Sequence, residues 1–128
     1  MCKILYVDDE IINLELFKIN FNDVYDVSIA SSAFEGLDIL KEKDFSVVVS
    51  DLKMPGMNGI EFISEIRKHY SQTVCILLTA FMETDVMLEA INEKTVFKYL
   101  LKPWKKEVVK KTIDAAIEQY KQNGKHSA

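Results

Sequence analysis

A chain of 128 residues with 48% hydrophobic and 28% charged side chains suits one domain around a single core, and is too apolar for a disordered protein. A net charge of −4 gives nucleic acid and anionic membranes no reason to bind it directly, and no apolar run reaches the length of a membrane span. The two cysteines, Cys2 and Cys75, sit in apolar stretches and read as buried free thiols of a reducing compartment. The first apolar run is too short for a secretory signal, so a cytoplasmic location is expected.

Strand and helix patterns alternate along the whole chain. Residues 3–7 predict a strand and 10–21 a helix, with Ile11, Leu14 and Ile19 among its apolar positions. Residues 25–30 alternate apolar and polar, as in a half-buried strand near a sheet edge. Ser31 or Ser32 can cap a helix over 33–43, where Phe34, Leu37 and Leu40 recur at helical spacing. The apolar run 46–50 predicts a third strand, and Asn58 caps a helix from Gly59 to Tyr70. A fourth strand over 74–78, a short helix over 84–92 and a fifth strand over 96–101 follow. The last helix, about 105–121, places Val108, Val109, Thr112, Ile113, Ala116, Ile117 and Tyr120 on one face. Residues 1–121 thus form one domain, and 122–128 read as a frayed tail or an artificial chain boundary.

Five βα units with short connections predict an α/β fold in three layers: a doubly wound, five-stranded parallel sheet, (βα)5, in the flavodoxin-like order 2-1-3-4-5. That order makes strands one and three neighbours at the topological switch point. Asp8 and Asp9 follow strand one and Asp51 follows strand three, so three carboxylates converge on one edge. Taken singly, an Asp-Asp-Glu after a strand also suits a helix N-terminus, Asp51 a turn, Thr79 a helix cap and Lys102 a solvated face. Together, the three acids repel one another unless a cation neutralises them, and hard oxygen donors without His or Cys favour Mg²⁺ over Zn²⁺. Thr79, ending strand four, offers a hydroxyl to a phosphate oxygen. Lys102, ending strand five, offers a point charge, and Pro103 after it admits a cis peptide.

On Val7-Asp8-Asp9-Glu10, Ser50-Asp51-Leu52-Lys53-Met54-Pro55-Gly56-Met57-Asn58-Gly59, Leu78-Thr79-Ala80 and Tyr99-Leu100-Leu101-Lys102-Pro103-Trp104, the chain resembles the receiver domain of two-component response regulators. The resemblance covers residues 3 to about 121. It implies that Asp51 accepts a phosphoryl group from a histidine kinase's phosphohistidine or from a small acyl phosphate. It further implies Mg²⁺ bound by Asp9, Asp51 and the backbone carbonyl of Lys53, with Asp8 holding it partly through water. Thr79 and Lys102 would grip the phosphoryl oxygens, and Tyr99 would turn inward as Thr79 moves. The surface of the fourth helix, fifth strand and fifth helix would then change shape, and it is a candidate dimer face.

Three departures stand out. Lys94-Thr95 occupies the turn before the last strand, where many receivers have Gly-Ala. Lys53 and Phe81, two residues beyond Asp51 and Thr79, are poor acceptors for an attacking water, which predicts a phosphorylated state that is not unusually short-lived. The lone Trp104 reads as packing on the base of the last helix or as a contact for a kinase or downstream domain. Met54, Met57, Met82 and Met87 read as loop and core filler. His69 and His126 are expected to be exposed. The implied partners are a sensor histidine kinase or phosphotransfer protein and a fused or separate output domain, because a Lys-Pro-Trp ending resembles receivers attached to varied outputs. The alternative is a phosphorylation-independent protein-interaction module on the same fold. A Mg²⁺-dependent phosphohydrolase of the haloacid dehalogenase class fits less well, because its acids lie two apart after the first strand.

Overall fold

Val47-Val48-Val49 and Val74-Cys75-Ile76-Leu77-Leu78 are buried at every position, as strands must be when helices cover both faces of their sheet. The computed structural model describes residues 1–80 and 95–126. Its strands are β1 (Lys3–Val7), β2 (Asp26–Ala30), β3 (Val47–Ser50), β4 (Val74–Thr79) and β5 (Lys98–Leu101). All neighbouring pairs are parallel, in the expected order β2-β1-β3-β4-β5. The helices are α1 (Ile11–Phe21), α2 (Ala33–Leu40), α3 (Gly59–His69) and a C-terminal helix, Lys106–His126. The helix expected over 84–92, together with Phe81, Met82, Met87 and Lys94, lies outside the described residues. Among the described residues, no helix is long and apolar enough to cross a membrane.

Alternation along the strands divides the core in two. Leu5, Val7, Val48, Cys75 and Leu77 pack with Phe62, Ile63 and Ile66 of α3 on one face. Ile4, Tyr6, Val47, Val49, Ile76 and Leu78 pack on the other with Leu14, Phe17 and Phe21 of α1 and with Val109, Ile113 and Ala116 of the C-terminal helix. Burying one such aliphatic or aromatic side chain stabilises the fold by roughly 1.5–3 kcal/mol.

The helix starts are set by side-chain caps. Ser32, the second of the two candidates, accepts a hydrogen bond from the Glu35 N–H at 3.1 Å. Asn58 accepts from the Glu61 N–H at 2.9 Å while Glu61 accepts from the Asn58 N–H at 3.1 Å, a full capping box. Each cap is worth about 1 kcal/mol.

Several expectations need correction. Ile11 and Ile19 do not face the core: they are 69% and 71% exposed, and Phe17 and Phe21 take the buried stripe. The α1 sequence is apolar on more than one side, and the aromatic contacts of Phe17 with Tyr6 and of Phe21 with Tyr25 decide which side turns in. Phe34 is exposed and lies over the Gly56 turn, while Ala33, Gly36 and Leu40 supply the buried face of α2. Val108 is also exposed, because the buried stripe of the C-terminal helix runs through Val109, Thr112, Ile113, Ala116 and Ile117. That helix continues past the expected stop at 121 to His126. Trp104 packs against Phe17 and Phe21 of α1, ring centroids 6.3 and 5.7 Å away. Both cysteines are free, but only Cys75 is buried; Cys2 is half-buried. Burial pushes the Cys75 thiol up to about 12. Of the methionines after Asp51, Met54 is buried and Met57 is half-buried against the core. His69 is exposed, as expected, 3.5 Å from Glu65.

Candidate functional site: an acidic cluster at the strand ends

The site follows from strand register. Val7 of β1 pairs with Ser50 of β3, so Asp8 and Asp51 leave adjacent strands at the same level. The Asp51 N–H donates to the Val7 carbonyl at 2.9 Å, extending the ladder one step past the strands. Ligand oxygens of Asp8, Asp9 and Asp51 all lie within 4.8 Å of one another. Asp9 is exposed, whereas Asp8 and Asp51 are buried.

The chain turns sharply after Asp51, and two glycines make the turn fit. Gly56 has φ +82°, a conformation that L side chains rarely adopt. At Gly59 an added Cβ would lie 2.2 Å from the Asp51 carbonyl oxygen, so only glycine lets α3 begin directly under the acid. The Gly59 N–H donates to the Leu52 carbonyl at 2.8 Å and fixes that approach.

Asp8 is the most firmly held of the acids. Its Oδ2 accepts from the Tyr6 hydroxyl at 2.7 Å, Lys102 Nζ at 2.9 Å and Asn13 Nδ2 at 3.2 Å. Its Oδ1 accepts from the Glu10 N–H at 3.0 Å. Asp51 has less support. Its Oδ1 accepts from the Leu52 N–H at 2.9 Å, and its Oδ2 lies 3.6 Å from Lys102 Nζ. Burial pushes the Asp51 carboxyl up to about 6; Lys102 and the Leu52 N–H oppose this, while Asp8 and Asp9 reinforce it. Burial and the neighbouring Asp8 push the Tyr6 phenol up as well, which keeps it a donor.

Lys102 reaches the cluster from the end of β5, where the Lys102–Pro103 peptide is cis. Its backbone N–H donates to the Thr79 carbonyl at 2.7 Å, tying the ends of β4 and β5 together. Thr79 is fully buried at the end of β4. Tyr99, opposite Leu77 in register, is half-buried and packs against the core on the α3 side of the sheet. Lys53 is exposed in the loop after Asp51. A cavity of about 460 Å³ opens beside Lys102, lined by Asn13, Leu16, Asn20, Ala80, Pro103 and Trp104.

Lys102 thus serves two of the three carboxylates, and the clustered negative charge suits a further cation. The donors are hard oxygens with one acid open to solvent, which fits Mg²⁺ with waters in its shell. Sequence reasoning missed Tyr6 and Asn13. The signal for Tyr6 was available, since residues two apart on a strand share a face, which sets its hydroxyl toward Asp8.

Comparison with known proteins agrees with this geometry. A family model described as "Response regulator receiver domain" matches residues 4–114. The hydrogenase transcriptional regulatory protein HoxA of Cupriavidus necator is 30% identical over 115 residues, 90% of this chain and 24% of that protein. The chain therefore spans about a quarter of the length of that relative. The crystal structure of a response regulator receiver domain protein from Clostridium thermocellum has a TM-score of 0.88 at 34% identity, covering 95% of this chain and 98% of the other. The response regulator protein TrrA from Thermotoga maritima, solved in complex with Mg²⁺ and BeF, gives 0.81 at 29% identity, covering 91% and 99%. The family match spans most of the residues and takes in both the β1 and the β3 acids, so the chain belongs to the response regulator receiver domains, the phosphorylation-activated signalling modules of two-component systems.

Proposed function

We propose that Asp51 accepts a phosphoryl group from the phosphohistidine of a sensor histidine kinase or phosphotransfer protein. The observation that carries this is Lys102 Nζ poised between two acids, 2.9 Å from Asp8 and 3.6 Å from Asp51. A cation in that place can follow charge onto a phosphoryl group attached to Asp51 with a small movement. Asp51 also has the carboxylate least occupied by protein donors of the two buried acids.

In the transfer, an Asp51 carboxylate oxygen forms a bond to phosphorus as the bond from phosphorus to the donor's imidazole nitrogen breaks. The leaving nitrogen takes the electron pair, and a protonated phosphohistidine departs as neutral imidazole. Asp9, Asp51 and the Lys53 backbone carbonyl would hold Mg²⁺, and Asp8, its Oδ2 already occupied by three donors, would hold it partly through water. Bound there, Mg²⁺ supplies positive charge to offset the phosphoryl oxygens. Lys102 and the Thr79 hydroxyl take the remaining oxygens. The domain catalyses only its own phosphorylation and dephosphorylation.

The output is a change of surface. Phosphorylation adds charge and strong acceptors at Asp51. Thr79 moves to meet them, and half-buried Tyr99 turns into the space released. The face built on β5 and the C-terminal helix then alters and engages a fused or separate output domain, or a second copy of the chain. TrrA, solved in complex with Mg²⁺ and BeF, supports a site of this chemistry in a relative. Incubation with acetyl phosphate and Mg²⁺ tests the proposal: intact mass spectrometry should find a phosphate adduct that is lost in Asp51→Asn. An adduct that persists in Asp51→Asn would refute it.

A further inference from the structure

The following inference rests on the reading that Lys102 turns from Asp8 toward a phosphoryl group on Asp51. We infer that Tyr6 is a positioning residue of this site, whose hydroxyl holds the Asp8 carboxylate and keeps it hydrogen-bonded when Lys102 leaves it. Tyr6 occupies a core position: it is fully buried, with its ring stacked on Phe17 at a centroid distance of 4.2 Å and an interplanar angle of 11°. Phenylalanine would fill that space equally well, and a buried hydroxyl is costly unless it is bonded. The hydroxyl's bond is to Asp8 Oδ2, at 2.7 Å the shortest of the three that oxygen accepts.

The three donors differ in how free they are to move. Lys102 sits on a flexible stem, its side chain is 17% exposed, and it already lies within 3.6 Å of a second acid. The Asn13 amide is longer, at 3.2 Å, and comes from a half-buried position on the first turn of α1. Tyr6 is fixed by the strand and by Phe17. With Lys102 turned to Asp51, a fully buried carboxylate oxygen without Tyr6 would keep only the Asn13 amide. An under-bonded buried charge is expensive, so losing the hydroxyl raises the free energy of the Lys102-shifted state more than that of the resting state. Tyr6 therefore makes the lysine available.

Tyr6→Phe keeps the ring and removes only the donor. Mg²⁺ and beryllium fluoride, a stable phosphoryl mimic, are titrated separately by calorimetry against the full chain. Mg²⁺ alone requires no lysine shift, so its affinity should change by less than about twofold, whereas beryllium fluoride affinity in saturating Mg²⁺ should fall roughly five- to tenfold. In a Lys102→Ala background the same substitution should have little further effect, since no lysine is left to release. Equal losses of both ligands, or additive effects in the double variant, would overturn the inference and leave Tyr6 a packing residue. In the unsubstituted protein, NMR should detect a slowly exchanging Tyr6 hydroxyl proton that survives addition of beryllium fluoride; its disappearance would also overturn the inference. A wild-type protein that binds Mg²⁺ but not beryllium fluoride would instead refute the underlying reading of Lys102 and Asp51.

Discussion

Lys102 closes on Asp8 rather than on the acid proposed to react: its Nζ is 2.9 Å from Asp8 Oδ2. The pair is almost dry, with Asp8 fully buried and Lys102 largely so. Asp51, at 3.6 Å, is the second choice of the same cation. Under the proposed transfer, charge gained on Asp51 would draw the lysine away from Asp8.

Removing the lysine should therefore expose the repulsion it offsets. Lys102→Ala is expected to lower stability without metal by about 1–3 kcal/mol, because a buried carboxylate loses its counter-ion. Mg²⁺ should bind the variant more tightly than wild type, since a competing positive charge is gone. Urea unfolding with EDTA and with saturating Mg²⁺ checks both signs.

The acid cluster also sets a pH dependence. The Asp51 carboxyl is raised to about 6 in the fold, above its ordinary value of 3.8, so folding holds the proton that the unfolded chain releases first. Below about pH 4 both states are protonated and the group contributes nothing. As pH rises from about 4 to about 6, metal-free stability should fall, by about 1–2 kcal/mol because solvent on the open side of the site screens part of the shift. Asp51→Asn should remove this component of the slope and make the protein more stable than wild type at neutral pH in EDTA. Thermal melts across that range decide it; an unchanged slope in Asp51→Asn would contradict the burial argument.

Gly59→Ala should damage the site from below. Its Cβ would meet the Asp51 carbonyl oxygen at 2.2 Å, so either α3 or the end of β3 must move. Overpacking of this kind costs typically about 1–3 kcal/mol. Phosphorylation should fall by more than stability alone explains, because the displaced atom belongs to Asp51 itself. Denaturant titration and the initial rate with acetyl phosphate separate the two effects.

At the opposite side of the fold, Tyr25 ties the segment after α1 to the C-terminal helix. Its hydroxyl donates to Asp114 Oδ1 at 2.6 Å, and Lys110 Nζ donates to Oδ2 at 2.8 Å. Partial burial acts to raise the Asp114 carboxyl, but the hydrogen bonds from Lys110 and Tyr25 prevail and hold it below its ordinary value. A lowered carboxyl contributes stability above its unfolded value and loses it as pH falls through the folded one. Tyr25→Phe should cost about 1 kcal/mol at neutral pH and less in acid, where Asp114 is protonated in both proteins. An NMR titration should show the Asp114 carboxyl rising toward its ordinary value in the variant.

Much of the site was legible because strand ends leave a simple trace in sequence. Buried, largely apolar runs stop at Asp8, Asp51 and Thr79, and the parallel order brings those stops to one edge. Asn58 was readable for the same reason, since a capping box is a local pattern. The buried face of α1 was not. With Ile11, Ile12, Leu14, Leu16, Phe17, Ile19 and Phe21 spread around the helix, periodicity allows more than one stripe, and the rings of Tyr6, packed on Phe17, and of Tyr25, packed on Phe21, select the buried one. The preference of Lys102 for Asp8 was equally hidden. It depends on a rotamer and on which carboxylate is already crowded with donors, neither of which has a signature in the residue order.

On the proposed reading, one carboxylate, Asp51, carries the phosphoryl group. Its most direct test is to phosphorylate the protein with acetyl phosphate and Mg²⁺, reduce the acyl phosphate with borohydride, and map the product by peptide mass spectrometry. Homoserine is expected in place of Asp51, with Asp8 and Asp9 unmodified. Reduction at Asp8 or Asp9, or a stable adduct on a residue outside the cluster, would contradict it.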